Sequence, residues 1–441
     1  MRRGDVPRRV CIIALNAYPA IEPKAGRSIG GLEMRAWNLA TGLSQQPDIE
    51  VFFMVGHTRP ITSTRVGNVT VVPLIDRFRD LRFNVSRSID ALPHFPWFRT
   101  RAWHAKLLWQ LPLLLATRPF RNRRSMHERI SEQLEQLKPD VCMGFGLGEH
   151  AAAIVRASER IQRPSIVGLA SNADLDAELF SDSRYVNHYG DSSDDCRFVI
   201  ERASAVLCQT QWQQDRLTEL ANRESFVIPT PIRAERWSTT ETTEPGKYVL
   251  WVGRYDEVYK RPQLCLKIAR QCPDIPFVMV LNRGDARTER DIRKNATPNV
   301  RIVDYVPADE MPDVFRRARL FLSTSQSEGF PNVFLEASAS GTPIVTLEDF
   351  GNFVSKSECG VWTKGDSDQA VSSVCDLWND VVSRARYAEN GQRSVRQFHS
   401  LEAVAENLRN VVDTVRHTPW NDSTSRLDVD PKRKRNTGNE V

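Results

Sequence analysis

The 441-residue sequence contains no C-x-x-C pair: Cys11, Cys142, Cys196, Cys208, Cys265, Cys272, Cys359 and Cys375 are scattered along it. Thiols so placed, several inside apolar runs, read as reduced, buried small hydrophobes of a cytosolic protein, not as a disulfide framework. A strong charge excess is also missing. The net charge is only +5, and the excess is local, which does not argue for nucleic acid. No apolar run is long enough to span a bilayer, since "LLWQLPLLLA" (107–116) is too short and too interrupted. Between "MRRGDVPRRV" and the first strand there is no apolar stretch of the signal-peptide kind, so secretion is not expected. "GFGLGEH" (144–150) has Glu149 where a dinucleotide fingerprint needs its last glycine, which discounts a Rossmann dehydrogenase.

What is present is ordinary in amount, with 41% hydrophobic and 26% charged residues, but ordered in pattern. The length exceeds what a single core of about 250–300 residues supports, so two domains are expected. Apolar strand-like runs at 10–15, 51–56, 69–74, 141–145, 165–170, 205–210 and 226–231 alternate with helical stretches such as 125–137. That alternation predicts a parallel sheet wrapped by helices. The polar run 236–247 reads as a linker, after which the alternation restarts at 248–254, 277–283, 300–306, 320–325 and 343–347. The expected organisation is a first domain over 1–235 with a basic insertion at 77–124, the linker, a second domain over 248–398 and a closing helix at 399–417. Residues 418–441 have too few apolar side chains to order themselves. Their KRKR (432–435) reads as a solvated tail, with a membrane contact or an address signal as the other reading.

The stretch "SEGFPNVFLEASASGTP" (327–343) predicts a short helix over 331–340 between two strands. It carries one carboxylate, Glu328, just before the helix and a second, Glu336, inside it. In a strand–loop–helix unit the loop and the helix start form the usual ligand site, and exposed amides there bind anions. "VGRYDEVYKRP" (252–262) places Arg254 at a strand's carboxyl end and Lys260 and Arg261 at the next helix entry, which suggests a bound diphosphate. Gly30 and Gly31 open a helix after the first strand, where amides can approach an oxyanion. A plain turn explains a lone Gly-Gly equally well. "DLD" (174–176) has the spacing of metal-binding carboxylates, a triplet common by chance.

"EGFPNVFLEA", "VGRYDEVYKRPQL", the "GG" helix start, "CQTQWQQDRL" (208–217) and "VIPTPI" (227–232), in that ordered set, resemble the retaining glycosyltransferases of family 4 over about residues 8–415. The resemblance implies the GT-B architecture, two Rossmann-like doubly wound α/β domains facing a cleft. It implies a nucleotide-diphosphate sugar as donor substrate and neither cofactor nor metal. Arg254 and Lys260 would neutralise the diphosphate, helped by the amides of Gly30 and Gly31. Glu336 would accept hydrogen bonds from ribose hydroxyls, Glu328 would lie against the transferred sugar, and the backbone of Gly329, Phe330, Pro331 and Asn332 would line sugar and phosphate. Many relatives carry a histidine just after the strand matching 165–170; here Ala170, Ser171 and Asn172 stand there, and His150 is the nearest alternative.

The function so read is transfer of a hexose, with retention, to a glycan or lipid-linked acceptor in polysaccharide or glycolipid biosynthesis. A catalytically silent sugar-nucleotide binder and a GT-B epimerase or phosphorylase are the competing readings. The insertion 77–124 holds eleven Lys or Arg against two Asp, interleaved with Trp97, Trp103 and Trp109. It reads either as a contact with an anionic membrane or as a packed acceptor-side insertion with solvated arginines. The expected location is the cytoplasm, peripheral on the inner face of the plasma membrane if the first alternative holds.

Overall fold

The computed structural model describes residues 7–22, 30–59, 63–86, 88–91, 98–100, 103, 105–117, 125–187, 190–237, 246–282 and 284–417. The KRKR tail, most of the polar linker run and parts of the basic insertion lie outside the described residues.

The first sheet is built from β1 (Arg8–Ile13), β2 (Ile49–His57), β3 (Thr64–Val66), β4 (Val69–Ile75), β7 (Val141–Phe145), β8 (Ser165–Gly168), β9 (Ala205–Cys208) and β10 (Phe226–Val227), while β5 (Ile89–Ala91) and β6 (Phe98–Thr100) pair as a separate antiparallel hairpin in the insertion. Its order is β10-β9-β8-β7-β1-β2-β4-β3, parallel except for β3. The second sheet, β11 (Tyr248–Arg254), β12 (Phe277–Asn282), β13 (Val300–Val303), β14 (Ala318–Ser323), β15 (Ile344–Thr346) and β16 (Gly360–Trp362), runs β13-β12-β11-β14-β15-β16, all parallel. Helices cover both faces of each sheet, so the central strands are apolar on both sides: Val10 to Ile13 and Phe53 to Val55 are essentially inaccessible. Seven of the cysteines are buried; the fold brings Cys272 and Cys375, far apart in sequence, to a Sγ–Sγ distance of 3.5 Å.

The chain returns to the first domain beside the point where it left it: Ile232 N–H donates to His399 O at 2.8 Å, and Ile232 pairs with Ser400 in a parallel bridge. The last helix, Leu401–His417, therefore packs on the first sheet although it follows the second. Val404, Leu408, Val411, Val412 and Val415 share a core with Trp37, Leu39 and Leu43 of helix Gly31–Leu43. Gly42 permits that approach, since a Cβ there would lie 2.8 Å from Leu401 O. Ion pairs Arg8–Asp413 and Arg409–Asp48, each at 2.7 Å, flank the contact.

Candidate active site

Strands β11 and β14 are neighbours, so the loops leaving their carboxyl ends run side by side. Buried Trp251 donates its indole N–H to Thr324 Oγ1 at 2.9 Å, and that hydroxyl lies 2.8 Å from Lys260 O. Arg261, held at a left-handed φ of 50°, donates to Thr324 O at 2.7 Å, and Gln326 N–H donates to Tyr259 O at 2.8 Å. Arg261 is thus spent on bracing the loops rather than on presenting a free cation.

This bracing sets the charges of the site. The Lys260 ammonium is paired with the Glu328 carboxylate, both largely shielded from water. Glu328, expected to stand bare, is not: the adjacency of β11 and β14 brings a cation from a loop 68 residues earlier directly to it. Arg254 is about half exposed and pairs with Asp256 at 3.1 Å. Asp256 also accepts from the amides of Val258 and Tyr259 at 3.1 and 2.9 Å, closing the turn that carries Lys260.

The predicted helix runs over Asn332–Ala339, with Pro331 as its cap, and ends at Gly341 with φ +72°. Its start meets the start of helix Gly31–Leu43, because Asn332 Nδ2 donates to Gly31 O at 3.1 Å. Two helix N-termini from different sheets therefore adjoin, and their fields both favour an anion. The Glu33 carboxylate rests against Gly30 at one of these starts. Gly329 touches the first domain: a Cβ there would lie 2.8 Å from Gln209 Nε2 and 2.9 Å from Ala170 O. The Phe330 ring is committed to packing, stacked on His399 at 5.5 Å and edge-on to Phe353 at 5.6 Å, which leaves its backbone for the cleft. His399 is itself buried with Nδ1 2.9 Å from Thr230 O; since a carbonyl only accepts, Nδ1 carries the hydrogen, and burial pushes the imidazole pKa down to about 4.

Glu336 opens into a cavity between the domains lined also by Met34, Trp37, Asn38, Arg236 and Trp237. Loss of water raises its carboxyl pKa to about 7, against opposing pulls from Arg236 and Lys260. Arg236 had been read only as part of a polar linker run. Its Nη2 donates to Ala308 O at 2.7 Å, which brings it over from the end of the first domain. Arg35 was also missed. Fully buried, it donates to Leu169 O at 2.9 Å and Ile228 O at 3.3 Å, tying the carboxyl ends of β8 and β10, and burial lowers its pKa to about 10. Its place on the inner face of the Gly-Gly helix was the only signal for it in sequence.

In the first domain, Asp174 accepts from the amides of Ala170 and Ser171 at 2.6 and 3.2 Å, and burial raises its pKa to about 7. The "DLD" triplet is thereby a turn cap; among the described residues no cluster of three His, Cys, Asp or Glu suits a metal ion. Ser171 caps the turn, and Asn172 Oδ1 accepts from Gln213 Nε2 at 3.0 Å. His150 lies in the first turn of helix Glu149–Arg160, near Arg79 and Asp191, with its pKa lowered chiefly by desolvation.

Residues 246–380 match the family model for glycosyl transferases group 1. Across nearly its whole length the chain is similar to the D-inositol 3-phosphate glycosyltransferase of Corynebacterium glutamicum (strain R), at 23% identity over 96% of this chain and 98% of that one. Among solved structures, Anabaena HepE in complex with UDP-glucose superposes with a TM-score of 0.63 at 15% identity, covering 92% of this chain and 99% of that one. TarM of S. aureus, in complex with UDP among other ligands, superposes with a TM-score of 0.64 at 11% identity, covering 92% and 100%. The scaffold common to these is GT-B.

Proposed function

We infer the reaction from the premise that the chain is a glycosyltransferase, carrying a group 1 domain on a GT-B scaffold: it transfers a hexose from a nucleotide-diphosphate sugar, with retention, to a glycan or lipid-linked acceptor in polysaccharide or glycolipid biosynthesis. The observation that carries this reading is the meeting of two helix starts through Asn332 and Gly31, with Glu336 in the cavity that Asn332 also lines and the Lys260–Glu328 pair in the loops leading to it. A diphosphate fits the paired helix starts, and it would compete with Glu328 for Lys260 and with Asp256 for Arg254. A ribose fits Glu336, whose carboxylate accepts from hydroxyls and repels phosphates.

In the reaction the bond from the anomeric carbon to the diphosphate breaks and its electron pair leaves with the nucleotide. An acceptor hydroxyl oxygen bonds to the same carbon and gives up its proton to the departing diphosphate. The protein stabilises the departing charge with preorganised cations and amides, and Glu328 lies against the sugar as it becomes cationic. The basic, aromatic stretch 77–124 is the part read as meeting an anionic membrane. Removal of a preorganised charge stabiliser costs about 10²- to 10³-fold in turnover. Arg254→Ala and Lys260→Ala are each expected to fall by that amount in a donor-consumption assay, and near-wild-type rates in both would sink the assignment.

A further inference from the structure

Helix Leu107–Ala116 is built inside out. All its residues are apolar except Gln110, yet Gln110 is only 4% exposed, while Leu108, Trp109 and Leu115 are 66%, 55% and 63% exposed. Gln110 Oε1 finds no hydrogen-bond partner in its buried place. A helix on a water-facing surface turns its polar stripe outward, and one that turns apolar side chains outward suits an apolar surrounding. Trp103, 68% exposed, extends the same patch.

The sequence around it says what that surrounding is. Between Asp90 and Glu128 there is no acidic residue, while Arg99, Arg101 and Lys106 precede the helix and Arg118, Arg121, Arg123 and Arg124 follow it. An apolar segment with tryptophans and with cations on both flanks complements an anionic bilayer surface: rings and aliphatic chains enter the acyl boundary and the cations meet the headgroups. Ten residues rise only about 15 Å, half of a hydrocarbon core of about 30 Å, and no helix of the described residues is long and apolar enough to cross a membrane. We propose that helix Leu107–Ala116 docks in the plane of an anionic membrane interface with Leu108, Trp109 and Leu115 inserted, and that this sets the acceptor-side mouth of the cleft at the lipid surface. The link to the cleft is helix Arg79–Ser86, which packs against the docking helix. Its Arg79 donates to Leu15 O at 2.7 Å and Asn16 Oδ1 at 2.5 Å, on the loop leaving β1, and its charge reaches His150. The placement of the mouth rests on the glycosyltransferase reading; the docking itself does not.

The test is co-sedimentation of the full chain with vesicles of phosphatidylglycerol and phosphatidylcholine in equal parts, against phosphatidylcholine alone, at rising salt. Binding is expected to the anionic vesicles and to fall as salt rises. Each buried large apolar side chain is worth on the order of tenfold in partitioning, so the double variant Leu108→Glu, Trp109→Glu should bind roughly a hundredfold more weakly. Its melting temperature should match the wild type, because both side chains are exposed. Failure to sediment with anionic vesicles at low salt, equal binding by the variant, or a stable dimer that buries Trp109 would each overturn the proposal. A melting-temperature scan with UDP, GDP and ADP, run on the same protein, keeps the two readings apart: a nucleotide shift without vesicle binding removes the docking and leaves the donor site standing.

Discussion

Two carboxylates eight positions apart, Glu328 and Glu336, sit in different surroundings. Glu336 loses water in the interdomain cavity and has its pKa raised to about 7, so its ionised fraction grows as pH rises through neutrality. A carboxylate accepts hydroxyl hydrogen bonds more strongly than a carboxylic acid does. The donor KM should therefore fall as pH rises from about 6 to about 8, and Glu336→Gln should raise KM, leave kcat nearly unchanged and abolish that pH step. In the proposed reaction Glu328, held by Lys260, acts on the sugar as it becomes cationic, so Glu328→Gln should depress kcat instead. Steady-state donor kinetics across that pH range check both, and exchanged signatures would show the two roles reversed. Glu336 was legible in sequence because a glutamate inside an apolar helix has little structural reason to be there, and Glu328 because it stands just before that helix's start. Their partners were not. The pairing of Lys260 with Glu328 depends on β11 lying beside β14, and the nearness of Arg236 to Glu336 depends on where the first domain ends against the second, which no local pattern reports.

Among the elements, the strands were the easiest to read, since a strand buried on both faces is a short continuous apolar run, as β2 and β12 are. Helix Asn332–Ala339 was also legible within a residue or so, from Pro331 at one end and Gly341 at the other. The loop before it was harder. Phe330 looked like part of a ligand-lining segment, but its ring belongs to a stack with His399 and Phe353 that anchors the loop to the returning chain. Gly329 is where that loop presses on the first domain, so a methyl group there must push Ala170, Ser171 or Gln209 aside. Misplacement of reacting groups by about 1 Å costs on the order of 10²-fold. Gly329→Ala is expected to lose about tenfold or more in kcat/KM while its melting temperature stays near wild type, because the clash falls on the seam between domains and not in a core. Measurement of both quantities on one preparation checks this, and unchanged kcat/KM would mean the seam is looser than the contacts imply.

At the scale of the whole molecule, the alternation that stops near residue 236 and restarts at 248 made two facing domains legible. The return of the chain was not: the period of helix Leu401–His417 announces one apolar face without saying which core receives it. Its docking on the first sheet brings the returning chain at Ser400 beside Ile232 near the end of the first domain. Asn332 against Gly31, and Gly329 against Ala170 and Gln209, bring the two domains together at one place. The central claim is that a nucleotide sugar is cleaved there with retention. Time-resolved proton NMR of the full chain with UDP-, GDP- and ADP-glucose tests it most directly, water serving as acceptor where no better one is present. The account predicts release of one nucleoside diphosphate with α-glucose appearing before its β anomer, at a rate that Lys260→Ala lowers. Appearance of β-glucose first, or release no faster than in Lys260→Ala for all three donors, would contradict it.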